Sequence, residues 1–434
     1  MWHKNRVYVM LLLSSCLVLT FLNIFFVFDN KYTTPPPYGQ EGVLNLTEQD
    51  MCRKRPLYLI DGWLLSDDSV TQRVTYIGEY ANLQRGNMKK SPHGKATYEL
   101  TLRYTGTPML VTSDFFELFS DYTVYIDDRV LLEGQGSARG SFMLLPGDTK
   151  LKVQTTSNMG YYSGIYYPPA LGNEGAVIHV ERIQTIFYAI ACLSAMILAC
   201  FTIQLWKRRE RDRLSYWLGL LNIFFGIYVA HYFIHLLELP FYGLWYFVED
   251  VALYGLVFSL VQVTIAATHF DNKHYTHAAT AISAVLPIAL LVLHLIIPIA
   301  PWAVVLHGYI KDLYFTLTFF WLVAVSVQSV RRRQNEHVYV LAGSLVFSTG
   351  LLVNLQKSNL FEPIYTLWQF EWSGLVLVWL FGAMMIARNR RILTENVQLT
   401  NHLERLVEQR AQELYMAHHA KDVGKVDGLT GREG

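Results

Sequence analysis

Apolar residues fall into two patterns along the chain. Eight stretches are almost wholly apolar over about 20 residues, the length a helix needs to cross a bilayer core. They cover residues 7–28, 185–205, 214–237, 244–268, 278–300, 304–330, 338–356 and 365–387. Between the first and second of these, residues 56–180 alternate with a period of two. Tyr98, Leu100, Leu102 and Tyr104 share one face, with Thr97, Glu99, Thr101 and Arg103 on the other. Tyr122, Val124 and Ile126 repeat the alternation, Asp127-Asp128 reads as a hairpin turn, and Val130 and Leu132 resume it. Leu151 and Val153 follow a Pro146-Gly147-Asp148 turn. Short strands separated by turns predict an all-β sandwich or jelly roll.

After the last apolar stretch the chain runs without a Pro or Gly break into a charged helical segment, residues 388–420. Ile392, Leu399, Leu403, Leu406 and Leu414 mark an apolar stripe on it. Asn396, Leu399, Leu403 and Leu406 are spaced three, four and three, as in a coiled-coil seam. Val407, Ala411 and Leu414 continue the stripe one position over, which reads as a stutter. So narrow a seam needs a partner helix, which predicts a parallel homodimer through residues 392–414. A solvated amphipathic helix lying along the membrane is the other reading.

Composition supports the membrane assignment. Residues are 52% hydrophobic and only 16% charged, against about 25% charged in soluble domains. A net charge of +1 gives no bulk attraction to nucleic acid. Cys16, Cys192 and Cys200 fall in apolar stretches, so Cys52 has no partner for a disulfide outside the bilayer. No CxxC or mixed Cys/His metal spacing occurs, and no cofactor is expected.

Basic residues gather in alternate loops: Lys207, Arg208, Arg209, Arg211 and Arg213; then Lys273; then Arg331, Arg332 and Arg333; then Arg388, Arg390 and Arg391. By the positive-inside rule both termini are cytoplasmic and residues 29–184 extracytoplasmic, in a multi-pass plasma-membrane protein. Leu13-Ser14-Ser15-Cys16 resembles a lipoprotein processing box, but the apolar run continues to Phe28, which favours an uncleaved anchor over a removed signal segment. The predicted plan is an N-tail and anchor (1–28), a β sensor domain (29–184), a seven-helix domain (185–387), a coiled-coil relay (388–420) and the remnant of an output domain (421–434).

Two groups of residues could carry chemistry. In the β region Trp63, Asn158, Tyr161, Tyr162 and Tyr166 combine aromatic faces with a neighbouring amide, as a small carbohydrate-like ligand would require. Alternatively, the tyrosines pack that domain against the membrane surface. In the apolar stretches His231, His235 and Glu238 are spaced i, i+4, i+7, and His307 and Lys311 i, i+4. Glu249, Asp250, Asp312 and Glu371 lie at the same outer depth. Ionisable groups in hydrocarbon are costly and so are functional candidates. They could form a polar ligand or coupling pocket, a zinc site on His231, His235 and a carboxylate, or a paired polar network.

The closing residues Asp427, Leu429, Thr430 and Gly431 resemble the Asp-x-Leu-Thr-Gly opening of a GGDEF domain, although Arg432 stands where that pattern has Leu. The run Leu403-Glu404-Arg405-Leu406-Val407-Glu408-Gln409-Arg410 is similar to segments that precede histidine-kinase modules. The strand Tyr122-Thr123-Val124-Tyr125-Ile126-Asp127, the Pro168-Pro169-Ala170-Leu171-Gly172 segment, seven spans and the relay helix follow in one order. In that order the chain resembles the bacterial seven-helix receptors with diverse intracellular signalling modules. The resemblance implies an outside jelly-roll sensor for carbohydrate-like ligands and an inside enzyme such as a cyclase, kinase or phosphatase, and the closing residues favour a diguanylate cyclase before a histidine kinase. The chain itself is then the non-catalytic sensing and relay part. A transporter or membrane metalloenzyme using the His/Glu cluster is the alternative.

Overall fold

A computed structural model describes residues 17–67, 70–78, 94–157, 164–208, 212–237, 239, 241–268, 273–300, 302–330, 337–357 and 360–430. By compactness the chain divides into two units, Met1–Phe381 and Gly382–Gly434. The first holds both the β domain and most of the helical bundle.

The period-two pattern becomes a nine-stranded sheet: β1 (Val43–Leu46), β2 (Leu57–Tyr58), β3 (Trp63–Asp67), β4 (Val70–Thr75), β5 (Gly94–Tyr104), β6 (Met109–Ile126), β7 (Arg129–Leu144), β8 (Gly147–Ser157) and β9 (Ala170–Gly172). Its strand order is β2-β9-β6-β8-β5-β3-β4, with β1 added to β5 and β7 to β6. All pairings are antiparallel except β1 with β5. Asp127 and Asp128 turn β6 into β7 with φ of 46° and 64°, the two left-handed residues a tight hairpin needs. Tyr98, Leu100, Leu102 and Tyr104 are all buried in one core with Trp63, Phe115, Val124, Leu151 and Val153.

Among the described residues six helices are long and apolar enough to cross a membrane, joined by two shorter apolar ones. The first of the shorter two, α1, is described over Leu17–Phe28, and Cys16 lies outside the described residues. A short helix, α2 (Glu48–Met51), belongs to the β domain. The bundle is α3 (Glu174–Arg208), α4 (Arg213–Val229), α5 (His231–Leu236), α6 (Tyr242–Thr268), α7 (Lys273–Ile296), α8 (Trp302–Val330), α9 (His337–Lys357) and α10 (Gln369–Thr430).

Two boundaries differ from the hydropathy reading. Helix α3 begins at Glu174, not at residue 185, because Asn173 caps it. The Asn173 Oδ1 accepts from Ala176 N at 2.8 Å, and its amide donates to the carbonyls of Met51 and Arg53. The first bundle helix therefore grows out of the β domain with no linker. At the other end α10 begins at Gln369, leaving residues 360–368 as a folded loop. Small residues let the helices approach closely: Ala191, Ala195 and Ala199 are buried on α3, and Ala195 packs against Gly226 of α4. A Cβ on Gly374 would meet the Phe225 ring at 2.5 Å.

Candidate functional site

A polar network joins the bundle helices. Glu371, in the first turn of α10, is fully buried and accepts from the Tyr188 hydroxyl at 2.8 Å and from Trp368 N at 2.9 Å. Its other oxygen lies 3.6 Å from His231 Nδ1, which also contacts the Tyr228 carbonyl at 2.8 Å. One turn on, His235 Nε2 meets Glu249 Oε1 at 3.1 Å. Beside Glu249, Asp250 holds His294 Nδ1 at 2.7 Å, with His307 Nε2 3.8 Å away and bonded to the Tyr254 hydroxyl at 3.1 Å. Helices α3, α5, α6, α7, α8 and α10 are thereby linked through ionisable side chains. Buried groups of this kind are tolerable only when paired, and breaking one pair strands its partner.

A second polar cluster joins the β domain to the bundle. The segment after α1 docks on the loop before α10. Asp29 accepts from the backbone N–H groups of Ile364, Tyr365 and Thr366 at 3.1, 2.8 and 3.1 Å. Asn30 donates to the Leu360 carbonyl at 2.9 Å and accepts from Glu362 N at 3.2 Å. Between them Lys31 forms a buried ion pair with Glu362. Burial pushes the Glu362 carboxyl up to about 7, the Lys31 charge working against that shift. Arg139 on β7 then bridges Asp114 on β6, at 3.1 Å, and Glu181 on α3, at 2.5 Å. Burial raises the Asp114 carboxyl above its ordinary value despite Arg139 and Lys31. A small apolar core of Tyr58, Ile60, Ala170, Val180 and Ile364 lies alongside.

The bundle candidates His231, His235, Glu249, Asp250, His307 and Glu371 come together in the network. Lys311 is half-buried and Asp312 exposed, with no bond to that network among the described residues, because they lie on α8 beyond its buried face. Glu238 lies outside the described residues, as do Asn158, Tyr161 and Tyr162. Trp63 is wholly buried, donates its indole N–H to the Leu59 carbonyl at 2.9 Å and meets Tyr98 edge-on, so it serves the core and offers no open face to a ligand. Tyr166 is buried too. It packs edge-on against Tyr167, which faces Trp368 just before α10, so both rings stand at the junction. Among the described residues no three His, Cys, Asp or Glu side chains are grouped as metal ligands.

Several functional groups carried weaker sequence signals. His294 is an ionisable residue inside an apolar stretch and was open to the same argument as His231. Asp29 reads as the polar end of an apolar run. Lys31 and Glu362 are 331 residues apart, and no local pattern relates them.

No family profile matches the chain, and no curated protein matches it. Solved structures give partial overlaps. A Faecalibacterium prausnitzii beta-glucuronidase is 12% identical over 27% of this chain and 31% of its own, at a TM-score of 0.23. A GH2 beta-galacturonidase from Eisenbergiella tayi bound to galacturonate is 12% identical over 26% of this chain and 23% of its own, at 0.20. The chain thus spans under a third of either structure's length, and overlaps at such scores carry no argument about fold or activity.

Proposed function

We propose that this chain is the sensing and relay part of a bacterial membrane receptor. The extracytoplasmic β domain and its junction with the bundle receive a small-molecule signal, and the polar network passes it to α10. One observation carries this reading. Glu371, fully buried at the start of α10, is held by α3 and α5 residues, and α10 is an unbroken helix from Gln369 to Thr430. A shift of α3 or α5 would have to repartner Glu371, because a buried carboxylate left alone is too costly.

Further along α10, Leu399, Leu403, Leu406, Val407 and Leu414 are all exposed, as a seam awaiting a second copy of the helix would be. The parallel homodimer through residues 392–414 and cytoplasmic termini belong to the same proposal. So does an output module of the diguanylate cyclase type, with a histidine kinase second.

The test fuses a complete cyclase domain after Ala420 and inserts one to four residues ahead of it. Output that rises and falls with helical phase supports the relay, and flat output overturns it. Orientation is read separately by labelling the exposed Cys52 with a membrane-impermeant maleimide on intact cells. Labelling there is expected, and protection would invert the topology.

A further inference from the structure

The seven apolar stretches after the β domain contain a single Lys or Arg, Lys311, and four carboxylates, Glu249, Asp250, Asp312 and Glu371. Three of the carboxylates face histidines in the polar network. Asp312 does not. It is exposed on α8 and makes no hydrogen bond or ion pair among the described residues, and half-buried Lys311 next to it makes none either. Asp312 stands ten residues beyond Trp302, the first residue of α8, or about 15 Å along the helix. So short a side chain cannot reach the membrane surface from there. Charges inside a span are costly in lipid and are kept where they are paired.

Lys311 and Asp312 cannot satisfy each other, because adjacent residues of a helix do not face one another. Gly308 lies three and four residues before them, on the same helical face. A Cβ at Gly308 would meet nothing within 4 Å, so packing inside the chain does not call for glycine there. On a membrane helix a glycine lets a second helix come close. An open notch flanked by one acid and one base is complementary to a copy of itself.

We propose that this face of α8 is a subunit interface within the membrane, occupied by α8 of a second copy of this chain. Both copies cross the bilayer in the same direction, so the two helices run parallel about a twofold axis and cross at Gly308. Each Asp312 then meets the partner's Lys311, and one contact pairs all four charges. The interface uses none of the seam residues at 392–414 and does not depend on the relay reading.

The test uses the full chain in membranes of the expressing cells, with Cys16, Cys52, Cys192 and Cys200 replaced by Ala, oxidised with copper phenanthroline. Gly308→Cys is expected to give a disulfide-linked dimer, since that bond needs Cβ atoms about 4 Å apart. Met196→Cys, at an exposed position of α3, is the control and should stay monomeric. Added to Gly308→Cys, Lys311→Asp and Asp312→Lys should each lose the dimer through like-charge repulsion. Co-expressing these two variants under different tags restores it as a heterodimer, and combining both changes in one chain restores the homodimer. No dimer from Gly308→Cys, an equal yield from Met196→Cys, a product linked to another protein in its place, or an undiminished yield in both charge variants overturns the proposal. Should the charge variants fail to insert, Asp312→Asn decides: a reduced yield is expected, and an unchanged one overturns it. Loss of the Gly308 dimer with output still following helical phase would remove this interface and leave the relay standing.

Discussion

The β domain and the junction beneath it are both tightly buried, and they are held by opposite means. In the β domain Trp63, Tyr98, Tyr104, Leu102 and Val153 are at most 1% exposed and are packed chiefly against one another. At the junction the buried groups are Asp29, Lys31 and Glu362, each within 9% exposure and each tied to a partner far away in sequence. Packing of the first kind is non-directional, since any apolar neighbour of the right volume contributes. Pairing of the second kind is directional and conditional, because its worth depends on both partners being present. A junction of that kind has alternative states within reach, whereas a dry core has few. This is why the relay reading rests on the junction and the bundle network and leaves the sheet as scaffold.

Single and paired substitutions break the comparison most strongly. Trp63→Ala is expected to cost about 3–5 kcal/mol of β-domain stability. No second substitution at a neighbouring position should restore more than part of that loss. Glu362→Met should cost about as much, because it leaves the Lys31 ammonium buried and unpaired. Adding Lys31→Met should recover most of that loss, since a buried ion pair is often no better than an apolar one. Lys31→Met alone should be milder, because Glu362 can take up a proton and become neutral. Denaturant unfolding of the four variants reads all of this. Recovery at Trp63, or none at the charge pair, would erase the distinction between the two regions.

The next effect is a dependence on pH at the junction. Glu362 binds its proton more tightly in the folded chain, at about 7, than in the unfolded one, near the ordinary 4.5. Its contribution to stability is therefore full below about pH 4.5 and is lost as pH rises towards 7. The change is on the order of 2–3 kcal/mol across that window. Asp114, raised by burial as well, acts with the same sign. Glu362→Gln should remove part of the slope of melting temperature against pH between 5 and 7. Trp63→Ala should lower the whole curve and leave the slope unchanged. A slope untouched by Glu362→Gln would place the titrating group elsewhere.

What could be read from the sequence divides along the same line. Period-two alternation located β5, β6 and β8, and the Asp127-Asp128 hairpin followed from two turn formers between alternating strands. Hydropathy found the apolar helices, because each is set by its own residues. The parallel pairing of β1 with β5 left no such trace, since four residues cannot signal direction. The network was legible only as a list of costly groups at one depth. Nothing in the sequence told which acid would meet which histidine: His235 meets Glu249, while Glu371 lies opposite His231. Trp63 misled because an aromatic residue near a strand start suits a ligand face and a core equally. Its neighbours, Tyr98 above all, decided the matter. The clamp of Asp29 on residues 364–366 was least legible, because its acceptors are one carboxylate and its donors are backbone, which every sequence supplies.

The smallest expected effect tests whether the sheet is as locally determined as this division holds. Asp128 adopts φ of 64° at the second central position of the β6–β7 turn. A residue with a side chain is strained there by about 1–2 kcal/mol, and glycine is not. Glycine gives back part of that gain, about 0.4–1 kcal/mol, through the greater freedom of the unfolded chain. Asp128→Gly should therefore stabilise the β domain by roughly 0.5 kcal/mol. The same change at Asp127 should not help, because its carboxylate also accepts from Lys150 N at 2.7 Å, a bond glycine would remove. A difference in sign between these adjacent positions, measured by thermal unfolding, would show the hairpin answering to its own dihedrals and one local bond. Equal effects at both would mean that the turn is held from outside, and that the sheet shares the conditional character of the junction.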